Sequence, residues 1–506
     1  MSSTLSSSDA VTTETPSARR PVSLKRDAMW TGIDTMVSGG LAFLFRLLMA
    51  RLLLPSDFGI LAMALTTFAI VQVFNDFGMS ATVIQREESR FSSSIVDTAF
   101  TASAVMSGLL FLINTLVIAP VSAWVFREPL VGAVTAVIGL TFLLTPMISI
   151  SRALLFRQRN YRAVTIARIT SSIGSIAAAG ICLFLLRNVW TLAVQILAAQ
   201  IFLATALYVA GRWRPRLSFN RGIFKEMFGY SGLVFANDLF VAAAKNFDVI
   251  TLGRLLTQSQ VGLYSLAFYI TDVVRTQLMS VLNRVMFTHY SSIQTDMAAV
   301  RFYYVRTLSW NTLLIFPVMI SIILAGPLLT PLFLGEAWSG MGAPLQALAV
   351  SVMIHAAGGT TSTVYKALGR PGLDLVLFAF TSVVILLPTL IIGAHIAGIA
   401  GAAIAVAINK GVSAIIRQIL LDRMIGSTLP RVFKSTAGTL LAQAPLVLIW
   451  LAGMALLPLD PVIRAIVSLA GGLLAYGATL LLIRANSALW PAFDSRKPPN
   501  TGGASA

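Results

Sequence analysis

Nine ionisable side chains set in apolar sequence carry the chemistry open to this chain. The segment GLVFANDLFVAAAKNFDVITLGR, residues 232–254, holds Asp238, Lys245 and Asp248. On a continuous helix Asp238 and Lys245 lie about 20° apart, with Asp248 about 60° further round. Lys245 and Asp248 are also at i, i+3, within pairing reach. Asp272 and Arg275 repeat that spacing. Asp34 and Arg46 share the first apolar run, and His355 and Lys410 stand in later ones. A charge at the centre of a bilayer costs roughly 2.5–3.5 kcal/mol, so these groups should face protein or a wet cavity. The cations Arg46, Lys245, Arg275 and Lys410 suit an anionic ligand such as a phosphate. The acids Asp34, Asp238, Asp248 and Asp272, with His355, suit exchange of a proton or cation. Each has a plainer alternative. The two i, i+3 pairs also read as ion pairs that fix helix packing, His355 as a packed neutral ring, and Lys410 as a cation with a buried partner.

The elements that must position these residues follow from composition. Of 506 residues 57% are hydrophobic and only 11% charged, with mean hydropathy +0.82. A soluble domain is about 25% charged. So much apolar surface needs lipid as its solvent. Runs of about 20 apolar residues predict fourteen membrane helices, near 28–51, 57–79, 97–119, 131–151, 164–186, 189–210, 229–253, 261–284, 307–328, 343–366, 373–394, 396–419, 436–457 and 461–483. None shows the period-two alternation of a membrane β-barrel. The fold class is therefore an all-α polytopic membrane protein.

Lys and Arg set the orientation. With the N-terminus inside, 27 fall on inner segments and span ends and four on outer ones. This topology accounts for most of the net charge of +17 and removes the need for a nucleic-acid partner. The basic, aromatic segments Ser151–Val164 and Gly211–Phe228 suit anionic lipid headgroups at the inner boundary, or the landing of an anionic lipid substrate. Single Cys182 excludes a disulfide framework. There is no GxxxxGK[ST] phosphate loop, no HExxH and no Cys/His cluster, so no cofactor or metal is expected. Outer loops are short, which argues against an outer-face polymerase.

One sentence is written twice. MARLLLPSDFGILAMA, Met49–Ala64, reappears as LGRLLTQSQVGLYSLA, Leu252–Ala267, at a constant offset of 203. The pairs include Arg51/Arg254, Ser56/Ser259 and Gly59/Gly262. The copies join the first span to the second and the seventh to the eighth. They lie an even number of spans apart, so the repeat is parallel. The expected organisation is a tail (1–22), a six-helix bundle (23–210), a basic linker (211–228), a second six-helix bundle (229–420), two further helices (421–485) and a second tail (486–506). Two bundles facing each other suit alternating access.

ARLLLPSDFGILAMA, followed by DFGMSATVIQREE (Asp76–Glu88), resembles the Wzx-type oligosaccharide flippases of the multidrug/oligosaccharidyl-lipid/polysaccharide exporter superfamily. The resemblance implies a transporter, not an enzyme, in the bacterial inner membrane; the Lys/Arg distribution predicts that both termini are cytoplasmic. It implies a cargo of undecaprenyl-pyrophosphate-linked oligosaccharide, destined for exopolysaccharide, capsule or O-antigen. Arg46, Lys245, Arg275 and Lys410 are then the candidate cargo cations. Membrane lipids, a polysaccharide polymerase and chain-length proteins are the candidate partners. A cation-coupled multidrug exporter of the same superfamily and an integral-membrane polymerase stand as alternatives.

Overall fold

A computed structural model describes residues 24–75, 83, 92–211, 213–222, 224 and 232–485. The motif Asp76–Glu88 apart from Val83, and both expected tails, lie outside the described residues. All regular structure within them is helical: α1 (Leu24–Leu52), α2 (Pro55–Gln72), α3 (Ser93–Phe126), α4 (Pro129–Arg157), α5 (Tyr161–Leu186), α6 (Val189–Gly211), α7 (Gly232–Lys245), α8 (Phe247–Leu255), α9 (Gln258–Ser292), α10 (Met297–Leu334), α11 (Glu336–Ala367), α12 (Pro371–Ile425), α13 (Leu429–Leu456) and α14 (Pro461–Ala485). Among the described residues eleven helices are long and apolar enough to cross a membrane. Helix α12 has two arms, because Ala397 and Gly398 leave helical geometry and Gly398 takes φ 56°. Helices α7 and α8 are short, and α9 carries Asp272, Arg275 and Arg284, so none of these three is among the eleven.

The surface inverts that of a soluble protein. Leu116, Phe184, Leu185 and Leu482 are all more than 70% exposed, which is stable only against hydrocarbon. Polar residues turn inward instead: Asn114, Thr135, Ser175, Thr312 and Thr360 are fully buried. Many hydroxyls answer to a carbonyl one turn back, as Thr135 does to Val131 at 2.7 Å, because lipid offers no other partner.

The helices form two bundles. In the first, α5 packs along α6 and α1, and α4 along α3 and α6. In the second, α11 packs between α10 and α12, with α9 alongside. Helices α2 and α9 carry the main contact between the bundles. Both begin at equivalent positions of the repeat, with the same device. The Asp57 carboxylate accepts from the Leu54 backbone N–H at 3.1 Å. The Gln260 side chain accepts from the Thr257 backbone N–H, also at 3.1 Å. Reaching back from the third helical position satisfies a donor the helix cannot.

The last two helices are fastened to the second bundle through α10. Ser309 and Ser435 hydroxyls meet at 2.5 Å and Thr312 and Thr439 at 3.2 Å. Tyr476 donates to the Leu313 carbonyl at 2.8 Å. Hydroxyl pairs of this kind hold membrane helices together at about 0.6 kcal/mol each.

Candidate functional site

The repeated segments meet each other. At Gly59 a β-carbon would stand 1.9 Å from the Gln258 carbonyl oxygen, and at Gly262 one would stand 1.7 Å from that of Pro55. Only glycine permits helices this close. Around this crossing the bundles touch through side chains. Phe58 packs edge-on against buried Trp338 with ring centroids 5.2 Å apart. Arg254 donates to the Val125 carbonyl at 3.1 Å, and Gln258 donates to Glu128. One end of the space between the bundles is therefore closed.

Arg46 sits at the edge of this closed end. Its guanidinium lies 4.5 Å from the Tyr269 ring centre and 5.8 Å from that of Phe58. Phe43 stacks on the far side of the cluster, 6.3 Å from Tyr269. Arg46 Nε is buried and has no hydrogen-bond partner among the described residues. An arginine between aromatic faces keeps its charge and its donors available to an anion.

Asp34 is buried and takes Arg168 as its partner, at 2.7 Å, and the Ser38 hydroxyl at 3.2 Å. The pair joins α1 to α5 within the first bundle. Arg168 was not singled out in the sequence, because the two residues are 134 positions apart.

The seventh span departs from expectation. Helix α7 ends at Lys245 and α8 begins at Phe247, with Asn246 between them outside helical geometry. The angular stripe assumed one continuous helix, so it does not extend to Asp248. Lys245 and Asp248 form no ion pair among the described residues. Instead Asp248 is buried, accepts from the Tyr264 hydroxyl at 2.9 Å, and caps its own turn through Val249 N–H at 2.8 Å. Asn246 fills the break by donating to the Ala242 carbonyl at 2.8 Å. Asp238 falls within α7, and its side chain lies outside the described residues.

Asp272 and Arg275 do pair, at 2.7 and 2.8 Å, as their spacing predicts. Arg275 also reaches His355 Nε2 at 3.5 Å. His355 in turn lines a cavity of about 670 Å³ inside the second bundle, between α7, α11 and α12. Lys245, Lys410 and Asn409 share this cavity. So do three residues that sequence reading passed over as site candidates: Lys366, Asp374 and Arg417. Asp374 accepts from Arg417, from Ser362 at 2.7 Å, and faces Lys366 at 3.6 Å. The signal was present, since Asp374 is a lone acid in the apolar run PGLDLVLFAF.

Of the nine candidates, the fold thus gathers Lys245, His355 and Lys410 at one cavity and links Arg275 and Asp272 to it. Arg46 and Asp34 stand apart on α1, and Asp248 turns into the protein. Among the described residues no cluster of His, Cys, Asp and Glu could hold a metal ion.

Comparison with known proteins matches this architecture. The fold is similar to lipid II flippase MurJ in an inward closed conformation, with TM-score 0.71 and 12% identity over 91% of this chain and all of that one. It is similar to a multidrug resistance MATE family transporter in an inward-facing conformation, with TM-score 0.63 and 16% identity over 79% of this chain and 98% of that one. In sequence the chain is similar to the lipopolysaccharide biosynthesis protein WzxC of Escherichia coli (strain K12), at 22% identity over 79% of this chain and 81% of the relative. It is also similar to the succinoglycan biosynthesis transport protein ExoT of Rhizobium meliloti (strain 1021), at 26% identity over 64% and 65%. Residues 48–343, more than half of the chain and both copies of its repeat, match one family along their length. With two helical bundles joined at that repeat, this chain belongs to the family of polysaccharide biosynthesis proteins.

Proposed function

We propose that this protein turns undecaprenyl-pyrophosphate-linked oligosaccharide units from the inner to the outer leaflet of a bacterial cytoplasmic membrane. The observation that carries the reading is the crossing of the two repeat copies at Gly59 and Gly262, in a chain of the polysaccharide biosynthesis family. It closes one end of the space between two bundles and leaves α1 and α9 as the helices on either side. We take the chain to cross fourteen times, with α7 and α8 making one crossing and the arms of α12 making two. The Lys/Arg distribution then puts both termini in the cytoplasm and the closed end outside. The state described is thus closed toward the outside.

The physical task is to move a sugar head and a diphosphate through hydrocarbon. Their polar groups lose water on the way and need replacements. A polar passage between bundles supplies them, while the prenyl tail stays in lipid. Arg46 and Arg275, on α1 and α9, are the cations for the diphosphate; Lys245 and Lys410 line the cavity behind. The Asp34, Asp248 and Asp272 carboxylates and His355 are the groups available for ion coupling, with Asp238 on α7. The protein moves its cargo without making or breaking a covalent bond, and a polymerase and chain-length proteins take the cargo at the outer face.

Deleting the gene tests this. The expected result is loss of surface polysaccharide with lipid-linked units held on the inner leaflet. Units reaching the outer leaflet but left unpolymerised would overturn the reading in favour of a polymerase.

A further inference from the structure

The cavity inside the second bundle has a charge imbalance. Its lining carries four basic side chains, Lys245, Lys366, Lys410 and Arg417, against one carboxylate, Asp374; the Asp248 and Asp272 carboxylates act on Lys410 from outside the lining. The Asp374 carboxylate is already engaged by Arg417, Lys366 and the Ser362 hydroxyl. Arg417 is further held by the Asp374 carbonyl at 3.2 Å and the Ser413 hydroxyl at 3.2 Å. Lys245 and Lys410 therefore face the cavity with no carboxylate at ion-pair distance among the described residues. Charges among membrane helices are costly unless paired, and a surplus of three over one small volume repels itself. Among the described residues none of the first bundle lines the cavity.

We propose that this cavity is a binding site for a phosphate-class anion, held chiefly by Lys245 and Lys410. The cavity has room for an oxyanion together with several waters. A volume of about 670 Å³ compares with a liquid share of roughly 30 Å³ for one water. Two ammonium groups, each a compact cation with three rotatable donors, suit the several oxygens of a phosphate. The anion comes either free from solution or as a lipid headgroup; the chemistry of the site is the same. His355 stands between this cavity and the Asp272–Arg275 pair on α9. Occupancy is thereby placed one side chain from the face that meets the first bundle. The assignment does not depend on the transport reading, because binding to the purified protein needs no turnover.

The test uses the full chain in neutral detergent, with inorganic pyrophosphate, inorganic phosphate and chloride compared at equal ionic strength. A ligand of the folded state raises the unfolding midpoint by mass action. Pyrophosphate is expected to raise it in the unaltered protein, and K245Q/K410Q to need at least tenfold more for the same rise. K245R/K410R should keep the response, which separates loss of charge from loss of fold. R423Q/R431Q removes equal charge from exposed positions outside the cavity and should leave the response unchanged. The headgroup arm is native mass spectrometry in micelles doped with phosphatidylglycerol or phosphatidylcholine. A headgroup source appears as a phosphatidylglycerol adduct lost in K245Q/K410Q. The single variants K245Q and K410Q should each lose part of the response, which keeps the test open if the double variant does not accumulate. If the unaltered protein shows neither a midpoint rise nor an adduct, the proposal is overturned. An equal response in K245Q/K410Q overturns it too.

Discussion

Gly59 and Gly262, 203 residues apart, cross so closely that a β-carbon on Gly59 would stand 3.1 Å from the Gly262 nitrogen and one on Gly262 3.0 Å from the Gly59 nitrogen. Adding a methyl group to either forces α2 and α9 apart. The expected cost of overpacking is about 1–3 kcal/mol, borne by the closed state alone. Gly59→Ala and Gly262→Ala should therefore shift the protein away from that state. Glu128→Cys with Gln258→Cys, positions that touch across the closed end, gives the readout. Crosslinking should be efficient in the parent pair and reduced when either alanine is added. Equal crosslinking in both backgrounds would show that the crossing tolerates the methyl.

That cysteine pair also tests motion directly. If the bundles must part at this end during each cycle, oxidising the pair should stop export and reduction should restore it. The natural Cys182 is buried on α5, so it should not compete for the crosslink. Undiminished export with the crosslink in place would exclude opening at this end.

Arg46 rests on Tyr269 across the bundle interface. Removing its charge forfeits a cation–π contact worth about 0.5–2 kcal/mol and a candidate diphosphate contact. Arg46→Ala should lower export at least tenfold at normal protein level. Tyr269→Leu should cost less, because it removes only the platform. If the two substitutions are equivalent, the arginine serves packing and not cargo.

The Lys245–Asp248 exchange has a definite expected outcome. Asp248 is buried against Tyr264 with no cation at ion-pair distance among the described residues and with Lys410 the cation that acts on it from further off, so a lysine there would be a buried charge facing a hydroxyl and a like charge. The exchange should abolish the folded protein or its activity. Tyr264→Phe, which leaves one carboxylate oxygen short of a donor, should destabilise by about 1–3 kcal/mol, read as a lower unfolding midpoint. An active exchange variant would mean that the two residues do form a pair.

The topology can be read with reporters. One fused after Arg484 should behave as cytoplasmic and one within Leu334–Met341 as external. The reverse pattern would invert the orientation proposed from the Lys/Arg distribution.

What could be read from the sequence divides by distance along the chain. Membrane helices were legible because length and apolarity decide them locally. The Asp272–Arg275 pair was legible because i, i+3 spacing survives any tertiary arrangement. The repeat was visible as letters, but that its copies cross each other was not, since nothing local says which helices meet. The break at Asn246 was missed because neither proline nor glycine marks it; the side chain supplies the lost hydrogen bond by bonding Ala242. Arg168 and Arg417 went unassigned for the opposite reason. They read as topology or background charge until folding brought Asp34 and Asp374 beside them.

The hydroxyl contacts that tie α13 and α14 to α10 make the two halves mechanically unequal. The repeat relates the two bundles, yet one of them tows two further helices, clamped at Ser309–Ser435 and Thr312–Thr439. Whatever tilting the halves undergo, the towed pair must sweep through the surrounding acyl chains with its host. The drag and any sensitivity to bilayer thickness therefore fall on one side of the cycle, and a symmetric sequence ends in an asymmetric machine.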